Sequence, residues 1–490
     1  MVDAISGFLN WETGATVLPL LDLVFALAIV FLERRNVSTT WAWILVMAFL
    51  PVVGFILYLF LGQNLARKRV YKMERYMAER FQTLARDQAR LLSDPDHRDR
   101  EASVYLHDFG SLMHLNLQSN FSFLSRNNEV RVFTTGKEKF DHLFQAIAEA
   151  REHIHLLYYM IKKDRVGTAL LNLLEKKARE GVEVRIIYDH VGSGGLSKKA
   201  FRKVTRAGGE VRPFFPSRIP YLNLRINYRN HRKIAVIDGK IGFIGGFNIG
   251  DEYLGLDPKL GFWRDTHLAV EGNAVYRLQA QFFLDWNAAS NQEIELPDRY
   301  FPDIETSGQT TIQIVSSGPH SNLAHIKNAY LKLIYAAKES IYLQTPYFVP
   351  DDDVMNALRI AALSGVDVRI MFPRKADHWI VHIASLSYLG ELLEAGVTCH
   401  LYENGFLHAK TIVVDGAVGV VGTCNIDHRS FHLNFEIGAF LYDKLEAEKL
   451  KQIFEADLAS CSTFTFQDYA ARSPLSKFGE SLARLLSPLL

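Results

Sequence analysis

At 490 residues, with 48% apolar and 22% charged residues, the chain is globular in composition and too long for one ordinary core. Its 55 basic and 54 acidic residues leave a formal charge of +1, which excludes a global basic field for nucleic acid. Cys399, Cys424 and Cys461 lack metal-ligand spacing and are expected as reduced thiols, compatible with a cytoplasmic catalytic part.

The N-terminus departs from this average. Residues 15–32 are apolar apart from Asp22, and residues 41–61 carry no charge at all. The second run is long enough to cross a bilayer as a helix, with Trp41, Trp43 and Tyr58 near its ends where aromatic belts lie. Asp22 is costly in hydrocarbon and weakens the first. No basic segment precedes the first run, so a cleaved signal peptide is disfavoured and a two-helix membrane hairpin over residues 1–63 is expected. The connecting loop has Arg34 and Arg35, whereas Arg67, Lys68, Arg69, Lys72 and Arg75 follow the second run. That bias places the long C-terminal part in the cytoplasm, with the basic cluster against anionic headgroups.

Residues 64–125 are polar and helical in pattern, a connector to the catalytic body. Next comes a strand–helix–strand pattern over residues 154–188, with Gly181 ending the helix. A second copy runs over 341–372, with Gly365 in the same place. Each copy leads through a further helical stretch to a short block. Residues 230–249 read NHRKIAVIDGKIGFIGGFNI and residues 407–426 read LHAKTIVVDGAVGVVGTCNI. The repeat is one duplicated domain, expected over residues 126–295 and 310–490, and not a short-period solenoid. The fold class expected is α/β, two such domains packed about a pseudo-twofold axis behind the membrane hairpin.

The blocks carry the chemistry. His231, Lys233 and Asp238 recur as His408, Lys410 and Asp415, and Asn248 recurs as Asn425 after a Gly-rich turn. A histidine and a lysine two apart on an extended strand share a face. Two such strands would surround one anionic space with two imidazoles and two ammonium groups. Phosphodiester exchange needs a nucleophile, an acid for the departing alkoxide, and cations for the equatorial oxygens. Imidazole serves as nucleophile and as acid–base group; Lys233 and Lys410 supply charge, and Asn248 and Asn425 neutral hydrogen bonds. Turns at Gly245–Gly246 and Gly422–Thr423 let backbone approach the phosphate. Asp265 and Glu436 are the candidate carboxylates to fix the imidazole tautomers, Asp265 for His231 and Glu436 for His408. Asp238 and Asp415 end the motif strands and are expected to hold the site's shape. No cluster has metal-ligand spacing, lysine is not a usual ligand, and no nucleotide-binding motif occurs, so neither metal nor cofactor is expected.

The two blocks are similar to the paired HKD motifs of the phospholipase D superfamily. Residues 37–62, PSRIPYLNLRINYRNHRK, DEYLGLDPKLGFWRDTH, QTPYFVPDD and RSFHLNFE further resemble bacterial cardiolipin synthases of the two-span type. Thr423 departs from the serine common in the superfamily but keeps a hydroxyl. The resemblance implies that two phosphatidylglycerol molecules become cardiolipin and glycerol through a phosphohistidine. It implies His231 as nucleophile and His408 as acid, then base, in a multi-pass protein of the bacterial cytoplasmic membrane. Arg218, Arg225 and Arg229 are candidates for lipid phosphates, against a solvated basic loop. The partners expected are phosphatidylglycerol, cardiolipin and the bilayer, with no nucleic acid, and an oligomer is possible. Two alternatives stand beside this reading: a membrane-anchored phospholipase D that hydrolyses phospholipids, and a non-catalytic lipid-binding scaffold.

Overall fold

A computed structural model of the chain describes residues 24, 37–50, 53–58, 81–90, 92, 100–194, 196–216, 227–290, 292, 294 and 296–487. It divides into two compact units: residues 1–66 with 217–227, and residues 67–216 with 228–490.

In the first unit a helix spans Val37–Phe49 and a short one Val53–Leu57. Trp43 packs edge-on against Tyr58, ring centroids 5.5 Å apart, over buried Met47. Trp41, Leu45, Phe49 and Val53 are exposed. No helix among the described residues is long and apolar enough to cross a membrane. Of the run expected to span over 41–61, the described residues are helical over Val37–Phe49 and Val53–Leu57, and the segment expected over 15–32 lies outside them apart from Val24.

The second unit is built on one sheet of sixteen strands. In the N-terminal half the main strands are β1 (Ser125–Phe133), β2 (His153–Tyr158), β3 (Glu183–Asp189), β4 (Glu210–Phe214), β5 (Ile234–Ile237), β6 (Ile241–Gly245) and β7 (His267–Gly272). The C-terminal half repeats them as β8 (Thr310–Ser317), β9 (Ser340–Gln344), β10 (Asp367–Pro373), β11 (Thr398–Tyr402), β12 (Thr411–Val414), β13 (Val418–Gly422) and β14 (Asn434–Tyr442), and β15 (Cys461–Phe464) is added at the edge. The order β15-β11-β10-β9-β12-β13-β14-β8-β1-β7-β6-β5-β2-β3-β4 is a palindrome about the antiparallel β1–β8 pair, apart from β15. The duplication read from the sequence is thus a structural pseudo-twofold inside one continuous sheet.

Local chemistry accounts for the repeated unit. Asp164 caps the helix Arg165–Arg179 by accepting from the Gly167 N–H, and Leu170, Leu174 and Ala178 form its buried stripe. The helix ends at Gly181, φ +91°, a conformation glycine adopts without a Cβ penalty. The chain then returns as β3, parallel to β2. In the second copy Asp351 caps Asp352–Leu363, Gly365 turns at φ +93°, and β10 returns parallel to β9. Both crossovers are the βαβ arrangement expected.

Two further short pairings bind the halves. Arg229–Asn230 lies parallel to Asn434–Phe435, and Trp263–Arg264 parallel to Phe406–Leu407. Each joins a strand just before one His-x-Lys segment to a strand of the opposite half.

Candidate active site

Those cross-half pairings place the histidines. The His231 N–H donates to the Phe435 carbonyl at 2.9 Å, and the His408 N–H to the Arg264 carbonyl at 2.6 Å. Beyond each histidine the chain turns back to its own half, where β5 pairs β2 and β12 pairs β9. His231–Lys233 and His408–Lys410 therefore sit between ladders, not within the strand on which they were expected. The reason is that the backbone exchanges hydrogen-bonding partners there.

The exchange also decides which carboxylate meets which imidazole. Nδ1 of His231 lies 3.0 Å from both carboxylate oxygens of Glu436, and Nδ1 of His408 lies 2.6 Å from Oδ2 of Asp265. The assignment expected from chain proximity was the reverse. Each carboxylate belongs to the half opposite its histidine, because the short cross-half ladders carry it over the seam.

Electrostatics fixes the tautomers. Burial alone would raise Glu436 and Asp265, yet both are held below their ordinary values: His231 and Lys233 dominate at Glu436, and His408 and Lys410 at Asp265. Both carboxylates are acceptors, so each Nδ1 carries the proton and each Nε2 keeps its lone pair. Burial, reinforced by Lys410, lowers His408 to about 4. Burial and, more weakly, Lys233 lower His231 against the pull of Glu436. With both imidazoles held below their ordinary value, both rings are neutral at pH 7.

The carboxylates are themselves seated differently. Glu436 accepts from the Thr423 hydroxyl and from Asn434 Nδ2 at 3.3 Å. The position matching Thr423 in the first half is Gly246, where a Cβ would come within 1.9 Å of Asp265 Oδ1. The Gly-rich turn thus makes room for the carboxylate. Asp265 also accepts from the Thr266 N–H at 2.7 Å.

Lys233 and Lys410 are buried, and their ammonium groups bond the carbonyls of His231 and His408 respectively. Burial lowers both, Lys233 well below its ordinary value and Lys410 to about 8. Asp238 and Asp415 stand at φ +52° and +54° where β5 and β12 end. Asp238 accepts from the N–H groups of Arg151, Glu152 and His153 at 2.8–2.9 Å, and Asp415 from those of Lys338, Glu339 and Ser340 at 2.8 Å. Each aspartate pins the start of the neighbouring strand.

Other candidates fare unevenly. Asn248 is engaged within its own half, accepting from the Met160 N–H at 3.2 Å and donating to the Tyr253 hydroxyl at 2.9 Å. Asn425 is buried and bonds the Asp427 carboxyl. These contacts use both amides in ways the expected phosphate bonds did not include. Arg229 is buried and paired with Asp189 at 3.2 Å, so it is not part of a solvated loop. Arg218 and Arg225 lie outside the described residues.

Sequence reading missed three neighbours. The Tyr159 ring stands edge-on to His231 at 5.0 Å, and Trp263 lies 5.1 Å from His408. Arg232 is fully buried: it holds both oxygens of Asp285 at 2.6 and 2.8 Å and donates to the carbonyls of Ser317 and Glu436. It ties the backbone of the His231 carboxylate to the first half. The visible signal was the mismatch between copies, since Ala409 stands at the matching position.

Comparison with known proteins agrees with this architecture. The family model for the cardiolipin synthase PLD-like domain matches residues 143–284 and 330–458, and the phospholipase D-nuclease N-terminal model matches residues 20–63. A cardiolipin synthase of Listeria welshimeri is 49% identical over 475 residues, covering 97% of this chain and 98% of that protein. One of Staphylococcus aureus is 48% identical over 472 residues, covering 96% and 95%. The crystal structure of a Haemophilus influenzae phosphatidylserine synthase shares the fold at 13% identity, with a TM-score of 0.59, over 76% of this chain and 99% of that one. Two motif copies, full-length similarity and a shared fold make one answer: the chain belongs to the cardiolipin synthase family of phospholipase D-like enzymes.

Proposed function

We propose that the protein transfers a phosphatidyl group from one phosphatidylglycerol to another, giving cardiolipin and glycerol. The observation that carries this reading is the crossed pair of histidine–carboxylate contacts, which supplies two oriented, neutral imidazoles at one seam. His231 Nε2 attacks phosphorus; the P–O bond to the glycerol headgroup breaks, and the alkoxide takes its proton from His408. A second phosphatidylglycerol then gives a hydroxyl proton to His408 as its oxygen attacks phosphorus, and the N–P bond breaks to restore His231. Glu436 orients His231 and Asp265 orients His408. Because burial holds His408 neutral, the anionic phosphodiester must raise it before it acts as acid. Lys233 and Lys410 offset charge on the phosphoryl oxygens, and Asp238 and Asp415 hold the strands that present them. The N-terminal segment anchors the enzyme as a two-span hairpin in the cytoplasmic membrane with its catalytic halves on the cytoplasmic side, a reading supported by its apolar runs and the family match there.

Labelled phosphatidylglycerol in membranes tests the reaction: labelled cardiolipin is expected, whereas phosphatidic acid as the main product would make the enzyme a hydrolase. Lys233→Met or Lys410→Met keeps much of the stem and removes a cation from a desolvated phosphate. A loss of roughly 10²–10³ in rate is expected for each, and activity within threefold of the parent would show that the lysine does not face the phosphate. Added chelator is expected to leave the parent enzyme active.

The pH profile has a definite sign. Lys410, lowered to about 8, is charged below that value and loses its proton as pH rises through it. The profile of kcat/KM, which reports the free enzyme and already declines with the low His408 value of about 4, should therefore turn down more steeply above about pH 8. A profile without that added break between pH 7 and 10 would contradict a cationic role for Lys410.

A further inference from the structure

Arg264 touches both members of the Asp265–His408 pair. Its carbonyl accepts from the His408 N–H at 2.6 Å, and its guanidinium donates to the Asp265 carbonyl and, at 3.1 Å, to the Thr266 hydroxyl. The side chain is buried, and its Nε lies 3.1 and 2.9 Å from the two carboxylate oxygens of Asp457. Asp457 also accepts from Gln344 Nε2 at 2.8 Å, and Gln344 Oε1 accepts from the Thr411 hydroxyl at 3.1 Å. Thr411 directly follows Lys410. The segment from His408 to Thr411 is thus tied back to Asp457 at both ends.

The same contact recurs at Glu436. Arg232 donates to the Glu436 carbonyl at 3.1 Å and is held by Asp285. Asp285 lies on the helix Ala274–Ser290, 20 residues after Asp265; Asp457 lies on the helix Lys444–Leu458, 21 residues after Glu436. The aspartates are therefore matching residues of the duplicated domain. The arginines are not. Ala409 stands at the position matching Arg232, and Phe435, just before Glu436, at the one matching Arg264. Copying a domain repeats a residue at its own position and does not move a guanidinium to another. What the two sites share is the contact itself: an aspartate-anchored arginine on the backbone of the carboxylate that orients a histidine. In each, that aspartate and that carboxylate come from opposite halves. Buried ion pairs add little net stability over an apolar pair of the same volume, so stability does not account for two of them. The fixed fork of a guanidinium does supply geometry, and a misplacement of about 1 Å at a reacting group costs on the order of 10²-fold in rate.

We propose that Arg264 and Asp457 are positioning residues for His408, acting through Asp265, and that Arg232 and Asp285 are positioning residues for His231, acting through Glu436. Each clamp governs a different step of the exchange: Arg232 the attack on phosphorus, Arg264 the proton transfers. That division of steps rests on the proposed reaction.

The p-nitrophenyl ester of phosphatidic acid, presented in vesicles to the full-length protein, separates the steps. When His231 Nε2 attacks phosphorus and the P–O bond breaks, nitrophenolate leaves without a proton, so no acid is needed. Completing the turnover still requires His408 to take the proton of the acceptor hydroxyl. Arg264→Met/Asp457→Asn removes both charges and leaves neither buried alone. In it the first nitrophenolate per chain should appear less than about threefold slower, and steady release roughly thirtyfold slower or more. In Arg232→Met/Asp285→Asn the first release itself should slow by roughly thirtyfold or more. Arg264→Lys, which keeps the charge without the fork, should show the Arg264 split at smaller size. Equal slowing of both phases in both Arg264 variants, as general loosening would give, overturns the inference. Carbethoxylation of the histidine peptides, read without turnover, should change at His408 alone in the first variant and at His231 alone in the second. A change at both peptides overturns the inference as well. That carbethoxylation pattern with the two release patterns exchanged leaves the clamps in place and reverses the roles proposed for the histidines. The same pattern in a chain that makes phosphatidic acid and no cardiolipin overturns the proposed transfer alone.

Discussion

His231→Ala and His408→Ala should each lower turnover by about 10⁴-fold or more, and the double variant should be little slower than either. The reason is architectural. Each histidine is seated by a carboxylate of the opposite half, at 3.0 Å for His231 and 2.6 Å for His408, so neither half holds a complete set of groups. Without the nucleophile no N–P bond forms; without the acid the glycerol departs as an unprotonated alkoxide. Residues that act as one unit give non-additive losses, and two independent sites would give additive ones. Circular dichroism of each variant should match the parent, since imidazole removal leaves the backbone bonds of His231 and His408 in place. Clearly additive losses, or substantial activity in either single variant, would contradict a shared site.

The orienting carboxylates should matter nearly as much. Glu436→Asn is too short to reach, so the informative changes are Glu436→Gln and Asp265→Asn, which keep shape and remove charge. An amide in this position presents an N–H donor as readily as an acceptor and releases the imidazole to the wrong tautomer; a triad carboxylate treated in this way costs about 10⁴ in kcat. Losses of roughly 10³–10⁴ in kcat are expected, with KM little changed. The crossed pairing adds a sharper readout. Carbethoxylation of neutral imidazole, mapped by peptide mass spectrometry, should change for the His408 peptide in Asp265→Asn and for the His231 peptide in Glu436→Gln. The opposite pattern would restore the pairing suggested by chain proximity.

That reversal shows where sequence reading stops. The strand–helix–strand units were legible because the helical pattern and the glycines at Gly181 and Gly365 act within a few residues. The motif pairs were legible because they recur in one register. Asp238 and Asp415 were expected at strand ends, and there they accept backbone N–H groups of the neighbouring strand. The partner of each imidazole was not legible, since it depends on two-residue ladders between strands separated by 205 and 143 residues along the chain. No local pattern reports such a pairing. Asn248 shows the same limit: its spacing suggested a phosphate donor, and its amide is engaged by Tyr253 and Met160. Arg232 was overlooked because an arginine between two motif residues looks solvent-facing until its carboxylate partner, Asp285, is seen 53 residues on.

The most direct measurement is the stoichiometry of the covalent intermediate. Enzyme quenched during turnover of phosphatidylglycerol labelled in its phosphate should carry at most one phosphatidyl group per chain, stable in alkali and labile in acid as a phosphoramidate is, on the peptide containing His231. Two groups per chain, one on each histidine peptide, would contradict a single composite site, and label confined to the His408 peptide would reverse the roles assigned to the two imidazoles.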